Sequence, residues 1–375
     1  MSADGCTADS SRGTGSLSPA QARAVFGRLN AIAERFFCDR LHNSWVPGYL
    51  ETRGFGHDVQ RRWHAGYAPA EWDALARHLR TRGCPDNLIE AAGLARRSRR
   101  GTLTDTFRDR AVLPIRAENG IVAGFIGRAP DSAIPRVLKY INSPRTCLYD
   151  KSAALYGIWE GRTAFSSGAR PVIVEGPFDA IAVTTAGQGR YAALAPCGTA
   201  LTQRHAGVLA QVADLAATGV VVAFDSDKAG QHAAVRAYNL LTSFTEDLTR
   251  ITFASGQDPA QVLAERGPNF LARMLAAQTQ PLADLVVDED VQRWARWLEN
   301  PEGQMNALRS AARLIGEMPP SHVARQVMRL ANRLNLDHTM VTKAVTDALR
   351  EAVQVDPPVR GGAKRQCSPG GRPAG

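Results

Sequence analysis

The chain has 375 residues, 44% of them hydrophobic, and it carries a formal net charge of +9. This length allows a large core divided into about two or three domains. No apolar run approaches the length of a membrane span, so a soluble protein is expected. The basic charge favours polyanionic partners such as nucleic acids.

The first elements in chain order are a helix and a hairpin. Residues 1–17 are rich in Gly and Ser and are expected to form a disordered tail. Ser18 followed by Pro19 is typical of a helix start. A basic N-terminal subdomain is expected over residues 18–165. Within it, two apolar runs, VLPIR and VAGFIG, flank the polar residues 118–120, which predicts a β-hairpin.

The next region alternates apolar strand-like runs with helical patterns. This alternation predicts βαβ units and a mostly parallel sheet over residues 166–267. A helical subdomain is expected over residues 268–350, interrupted at Pro319 and Pro320, and residues 351–375 are expected to form a second disordered tail. The fold class is therefore expected to be α/β, with an α+β subdomain before the sheet and helices after it.

Carboxylates follow two of the apolar runs at the point where each predicted strand ends. Glu175 follows one run, and Asp225 and Asp227 follow the other. Sheets of parallel strands bind ligands at the carboxyl ends of the strands. Side chains at positions i and i+2, such as Asp225 and Asp227, point to the same side of an extended backbone. Carboxylate oxygens are the ligands that Mg²⁺ prefers. The pattern predicts a divalent-metal site for phosphoryl transfer, and for Asp227 a simple helix N-cap is the alternative.

Together the two acidic segments resemble the TOPRIM signature, in which a strand-end glutamate and a later Asp-x-Asp share a metal site. Flanking segments narrow the resemblance to the bacterial DnaG-type primases, over the chain from about residue 29 to about residue 345. The segments similar to motifs of that family are YLETRGFG from Tyr49, TFRDRAVLPI from Thr106, GFIGR from Gly124, KYINSPRT from Lys139, KSAALYG from Lys151, Gly198 with Thr199, and GQDPAQVL from Gly256.

The resemblance implies synthesis of short RNA primers from ribonucleoside triphosphates on a single-stranded DNA template, with Mg²⁺ or Mn²⁺ as cofactor and release of pyrophosphate. Asp225 and Asp227 are expected to hold the metals. Glu175 is either a further ligand or a general base. Asp179 either binds metal or orients a water, and Asp258 either assists an outer metal or only forms a turn.

Basic, aromatic and amide residues in the same motifs are candidates for binding nucleotide and template, because both ligands bring negative charge to an acidic pocket. Arginine offers a planar fork to phosphate and lysine a point charge, so Arg→Lys changes at Arg108 or Arg110 are not expected to be neutral. Solvated surface charges, and a structural role for the tyrosine, are the alternatives. The candidates are Arg108, Arg110, Lys139, Tyr140, Asn142 and Lys151.

The cysteines bear on compartment and partners. None of the six forms a C-x₂₋₄-C pair, so no zinc is expected, and a reducing cytoplasm is the expected compartment. The DnaG-type family carries an N-terminal zinc-binding module that this chain is expected to lack, so a separate zinc-bearing protein or a replicative helicase is a candidate partner.

Two other functions share the same acidic motifs. One is a TOPRIM nuclease or topoisomerase-like strand cleaver, although no tyrosine beyond Tyr238 is available as a nucleophile for the latter. The other is a non-catalytic DNA-binding adaptor in the replication of a mobile element. The presence of Glu175, Asp225 and Asp227 together counts against the adaptor, because such charges are costly to hold close without a cation.

Overall fold

The computed structural model describes residues 17–254 and 256–355. The first expected tail lies outside this range except for residue 17, as do Cys6 and Cys367 and the second tail from residue 356. The described helices are α1 (Pro19–Cys38), α2 (Val46–Thr52), α3 (His57–Arg62), α4 (Ala74–Thr81), α5 (Asp86–Ala91), α6 (Ile158–Ser166), α7 (Pro177–Gly187), α8 (Gln203–Val212), α9 (Leu215–Thr218), α10 (Lys228–Leu241), α11 (Pro259–Arg266), α12 (Pro268–Ala277), α13 (Leu282–Gln292), α14 (Pro301–Gly316), α15 (Pro320–Leu334) and α16 (His338–Val355). The described strands are β1 (Gly66–Ala68), β2 (Ala95–Arg97), β3 (Leu103–Asp105), β4 (Arg110–Arg116), β5 (Val122–Arg128), β6 (Tyr140–Asn142), β7 (Leu155–Tyr156), β8 (Arg170–Val174), β9 (Tyr191–Pro196), β10 (Val220–Ala223), β11 (Leu248–Arg250) and β12 (Gln280–Pro281).

The N-terminal region contains an antiparallel sheet with strand order β1-β4-β5-β6. The predicted hairpin is confirmed, since β4 and β5 pair antiparallel around residues 118–120. The predicted helix start is also confirmed: Ser18 caps α1, and Gln21 completes a capping box with it. Strands β2 and β3 form a separate two-stranded antiparallel sheet.

A six-stranded sheet with order β12-β11-β10-β8-β9-β7 follows. The three central pairings, β11-β10, β10-β8 and β8-β9, are parallel, and the two outer pairings are antiparallel. Helix α7 packs with α11 and α12, while α8 packs with α6 and α10, so helices form two groups around the sheet. This arrangement confirms the α/β class expected from the alternating sequence pattern.

One hydrophobic core joins the N-terminal region to the six-stranded sheet. Buried residues of this core extend from Leu41 to Leu275. The Phe55 ring stacks on Phe178 at 5.9 Å between centroids, and Trp63 stacks on Tyr156 at 5.4 Å. The two regions therefore fold as parts of one compact unit, which ends at Leu285.

The second compact unit begins at Val286 and contains α14, α15 and α16, which pack on one another. The predicted break at Pro319 and Pro320 is confirmed, because α14 ends at Gly316 and α15 begins at Pro320. Helix α16 continues to Val355, beyond the expected end of the helical region at residue 350.

The sequence places the boundary between the sheet region and the helical subdomain after residue 267, whereas the first compact unit of the structure ends at Leu285. Helix α12 belongs to the first unit because its apolar face packs on α7. The expectation of a wholly helical segment after residue 268 is also wrong, since Gln280–Pro281 forms the edge strand β12 against β11. An edge position suits Pro281, because proline has no N–H to donate to a ladder. Among the described residues, no helix is long and apolar enough to cross a membrane.

Candidate active site

Two neighbouring strands, β8 and β10, deliver the acidic residues to one edge of the six-stranded sheet. Both strands are apolar and buried, as the Val-rich runs require. They pair in parallel with Val174 opposite Ala223, so their carboxyl ends lie side by side. The backbone N–H of Asp225 donates a 2.9 Å hydrogen bond to Oε1 of Glu175. The two acidic motifs therefore meet in space as the sequence predicts.

Asp227 caps the helix that follows β10. Its Oδ1 accepts a 2.8 Å hydrogen bond from the N–H of Gly230. Asp227 is therefore the N-cap residue of α10, as the alternative interpretation of the sequence expected. A Cβ at Gly230 would lie 2.1 Å from the carbonyl oxygen of Asp225. Glycine is required there for the backbone to fold this closely over the acidic turn. One carboxylate oxygen of Asp227 is used by the cap, and the side chain as a whole is exposed.

Asp179 and Asp258 connect a second helix pair to the same edge. Asp258 caps α11 by accepting a 2.7 Å hydrogen bond from the N–H of Gln261. The carboxylate of Asp179 accepts from the N–H of Gly176 at 3.2 Å and from the N–H of Ala260 at 3.3 Å. Asp179 therefore ties the turn after β8 to the first turn of α11.

The carboxylates influence one another electrostatically. Burial and the neighbouring charges of Glu175, Asp258 and Asp227 raise the pKa of Asp225 to about 6. Burial, with Asp258 and Asp225 adding to it, raises the pKa of Asp179 to about 8, although the N–H groups of Ala260 and Gly176 oppose the rise. Without a counter-cation, the ionised forms are disfavoured at this edge.

The donor chemistry of this edge fits a hard divalent cation, because it offers carboxylate oxygens. The raised pKa of Asp225 supports that fit, since a cation would offset the converging charges. As the side chains stand, however, no three Asp, Glu, His or Cys residues in the described part of the chain are grouped closely enough to hold one metal ion.

An aromatic and basic wall lies beside Asp179. The ring of Tyr140 is 6.4 Å from that of Phe178, the residue before Asp179. Burial raises the pKa of Tyr140, Asp179 adds to the rise, and Arg128 opposes it. The Arg128 guanidinium lies 4.4 Å from the centre of the Tyr49 ring, and that of Arg53 lies 4.9 Å from it. The wall therefore carries two guanidinium groups next to the acidic edge.

The other predicted binding residues have different surroundings. Arg108 is half-buried and lies 3.7 Å from the centre of the exposed Trp72 ring. Arg110 is buried and donates to the carbonyl oxygens of Gly127 and Lys139, at 3.2 and 3.4 Å. It therefore supports the antiparallel sheet from inside.

Asn142, Lys139 and Lys151 complete the predicted set. Asn142 donates a 3.0 Å hydrogen bond to the carbonyl oxygen of Cys197, next to the left-handed turn at Gly198. The Lys139 ammonium is exposed and lies 5.9 Å from the centre of the Tyr140 ring. Lys151 is exposed, and its carbonyl oxygen contacts the buried ring of His205 at 2.9 Å. Among the described residues, neither lysine forms an ion pair with the acidic edge.

Sequence reasoning missed Arg53 and Arg128 as functional candidates. Arg53 lies in the YLETRGFG run and Arg128 in the GFIGR run, both of which resemble family motifs. That resemblance is the sequence signal that could have identified them. Arg53 follows Tyr49 by four residues at the end of α2, so helical spacing alone would have indicated that contact. The contact of Arg128 with Tyr49 joins β5 to α2 and cannot be inferred from residue spacing.

Comparison with known proteins adds two family matches. Residues 36–162 match a family model described as the DNA primase catalytic core, N-terminal domain, and residues 172–263 match a Toprim-like model. The Toprim match implies use of a divalent metal, without naming which.

Individual relatives agree with these matches. The chain is 34% identical over 348 residues to the DNA primase of Streptomyces coelicolor, covering 90% of this chain and 53% of that protein. It superposes on the RNA polymerase domain of Mycobacterium tuberculosis primase DnaG with a TM-score of 0.72 and 30% identity, covering 83% of this chain and 99% of that one. A DnaG primase catalytic domain solved bound to single-stranded DNA gives a TM-score of 0.71 at 28% identity, covering 86% and 99%. The chain spans about half the length of the curated relatives it matches.

Proposed function

Because this chain belongs to the bacterial DnaG-type primase family, we propose that it synthesises short RNA primers on a single-stranded DNA template. The proposed reaction joins a ribonucleotide 3′-hydroxyl to the α-phosphate of an incoming ribonucleoside triphosphate and releases pyrophosphate. The observation that carries the proposal is the junction of Glu175 with Asp225 at the carboxyl ends of two parallel strands.

The acidic edge is the proposed metal-binding part of the site. Asp225, Asp227 and Glu175 would hold Mg²⁺ or Mn²⁺, with Asp258 contributing at the periphery. When bound, the metal supplies positive charge for the phosphate oxygens and the attacking and leaving oxygens. Asp179 is proposed to position this edge, because both of its oxygens already accept backbone N–H groups.

The neighbouring wall is the proposed phosphate-binding part. Arg53 and Arg128 are held over aromatic rings, which fixes their planar donors. Arg128 also pairs with Asp131 at 2.7 Å, so Arg53 is the guanidinium of this wall that keeps its charge without an ion pair among the described residues. Lys139 and Tyr140 stand at the same end of β6. This arrangement suits a triphosphate that must approach carboxylates, since cations on one side offset the charge that the ligand adds.

The template is proposed to cross the N-terminal region near Arg108. The Arg108 guanidinium stacks on the exposed Trp72 ring. The two groups form a flat cationic and aromatic surface of the kind that binds single strands without sequence preference. A replicative helicase or a separate zinc-bearing protein remains the proposed partner for choosing the start site.

The test is synthesis of oligoribonucleotides from labelled ribonucleotides, with Mg²⁺ or Mn²⁺, on mixed single-stranded DNA. The variant Asp225→Asn with Asp227→Asn is compared with Glu118→Gln, which removes an exposed carboxylate from the β4-β5 turn. We expect products from the wild type and from Glu118→Gln but not from the double variant.

Other outcomes would replace the proposal. Shortened template would indicate a nuclease. DNA binding without product, in the presence of both metals, would favour an adaptor, unless product appears when a helicase or zinc-bearing primase partner is added. In parallel, Mg²⁺ should raise the midpoint of thermal unfolding of the wild type and leave that of the double variant unchanged, because ligands stabilise the state that binds them.

A further inference from the structure

The loop that joins β5 to β6 exposes a concentration of large apolar side chains. Ile134 is 66% exposed, Val137 40% and Leu138 70%. Single exposed apolar residues need no explanation, but three within five positions of one loop indicate a contact surface. The described core leaves these three side chains uncovered.

The loop has a defined conformation. Its base is closed by the N–H of Ala129, which donates to the carbonyl oxygen of Lys139 at 2.9 Å. A turn follows in which the N–H of Val137 donates to the carbonyl oxygen of Ile134 at 2.9 Å. Asp131 anchors the first half through a 2.7 Å ion pair with Arg128. The apolar side chains are thus presented from a fixed support.

This support is part of the proposed active site. The loop begins after Arg128 and ends before Tyr140, and these two residues are directly opposite in the β5-β6 ladder. Tyr140 in turn faces Phe178, which precedes Asp179. A strand of nucleic acid that approaches the acidic edge along this wall therefore passes the loop.

Charge on the loop favours a polyanion. Arg136 lies between the apolar residues and Lys139 follows them, and both side chains are exposed. Within the part of the chain that the structure covers, neither forms an ion pair, which leaves both cations available to phosphates. Apolar side chains interleaved with cations suit single-stranded nucleic acid, whose bases have apolar faces and whose backbone is anionic.

We propose that residues 130–138 form a contact surface for single-stranded DNA, in which Ile134, Val137 and Leu138 pack on bases and Arg136 binds a phosphate. This inference rests on the proposed function for the class of its ligand. A protein partner suits the loop less well, because protein interfaces bury about 800 Å² on each side and charged side chains are depleted at their cores. Three side chains separated by a cation do not provide such a core.

The test measures the affinity of the purified full chain for labelled mixed-sequence single-stranded DNA by fluorescence anisotropy, without nucleotides, over a range of NaCl concentrations. The variants are Ile134→Ser with Leu138→Ser, and Arg136→Gln. The control is Ile121→Ser, which removes an exposed apolar residue from the neighbouring β4-β5 hairpin. All of these side chains are exposed, so the fold should survive each change, and thermal unfolding checks this.

We expect the double serine variant to bind about three- to tenfold more weakly with an unchanged salt dependence, because apolar contacts release no counterions. Arg136→Gln should lower the slope of log Kd against log salt by about 0.7, the value for one phosphate contact on a single strand. Ile121→Ser should bind like the wild type.

Wild-type affinity in the double serine variant would overturn the inference and would assign the loop to a protein partner. Loss of salt dependence in that variant would also contradict it, because the loop would then act through charge alone. Failure of the wild type to make primers even when a helicase or zinc-bearing primase partner is added, with the binding pattern intact, would overturn the proposed function and leave this inference standing.

Discussion

The N–H of Asp225 donates to the carboxylate of Glu175 at 2.9 Å, which joins the carboxyl ends of β8 and β10 through one side chain. Glu175 therefore supplies both a negative charge and a hydrogen-bond acceptor. Glutamine keeps an acceptor oxygen but removes the charge. We expect Glu175→Gln to unfold at or above the wild-type midpoint without metal, because it keeps the acceptor and removes a charge that disfavours ionised Asp225. Primer synthesis should fall by about 100-fold or more, as for lost electrostatic stabilisation of a transition state.

Glu175→Ala separates the two roles of this residue. It removes the acceptor as well, so the free energy of unfolding should fall by about 0.5–1 kcal/mol in addition to the loss of activity. Urea unfolding and primer synthesis, measured on both variants, test this. Full activity in Glu175→Gln would exclude a role for the charge and would leave Glu175 as a structural acceptor only.

The acidic edge could be predicted from sequence because its geometry follows from local rules. An apolar run followed by a carboxylate specifies a strand end, and parallel neighbours bring such ends together. The contact of Arg128 with Tyr49 could not be predicted, because it depends on how β5 packs against α2, whereas Arg53 reaches the same ring through helical spacing. The burial of individual arginines could not be predicted from sequence either. Arg110 follows Arg108 by two residues in the same motif, yet its side chain is buried and bonds to the carbonyl oxygen of Gly127 in the sheet.

These different surroundings predict different results for the same substitution. Arg110→Lys leaves two carbonyl oxygens without a guanidinium partner, so the free energy of unfolding should fall by about 1–3 kcal/mol. Arg108→Lys removes a planar group from the Trp72 face, so affinity for single-stranded DNA should fall by about two- to fivefold with unchanged stability.

Urea unfolding and fluorescence anisotropy on both variants make the comparison. A shared loss of stability would show that Arg108 is a second internal support. A loss of affinity confined to Arg110→Lys would exclude the Trp72 surface as part of the template path.

Asp105 provides a pH-dependent contribution to stability away from the acidic edge. Burial raises its pKa to about 6, although it accepts hydrogen bonds from the N–H groups of Leu75 at 2.7 Å and Ala76 at 3.0 Å. The folded state therefore holds this proton more tightly than the unfolded state, whose carboxyl has an ordinary pKa near 3.8. Stability from this group is complete below pH 4 and is lost as the pH rises to about 6.

In the metal-free protein, this loss should amount to about 2–3 kcal/mol. Asp105→Asn does not titrate, so its free energy of unfolding should change less between pH 4 and pH 6.5 than that of the wild type. Urea unfolding across this range measures both slopes, with Glu118→Gln as the control for an exposed carboxylate. Equal slopes for Asp105→Asn and the wild type would show that Asp105 titrates normally in the folded protein.

Two helix glycines predict opposite effects of the same change to alanine. Gly230 lies in the first turn of α10, where a Cβ would be 2.1 Å from the carbonyl oxygen of Asp225. Gly207 lies within α8, where a Cβ would meet nothing within 4 Å. Gly230→Ala must push the Asp225 turn away from α10, and so should lower stability and abolish both primer synthesis and stabilisation by Mg²⁺.

Gly207→Ala should instead raise the free energy of unfolding by about 0.5–1 kcal/mol, because alanine loses less backbone entropy in a helix. Its activity should match the wild type. Thermal unfolding with and without Mg²⁺, on both variants, measures the difference. If Gly230→Ala kept its response to Mg²⁺, the cation would not depend on the Asp225 turn, and the metal-binding residues would have to be sought elsewhere in the chain.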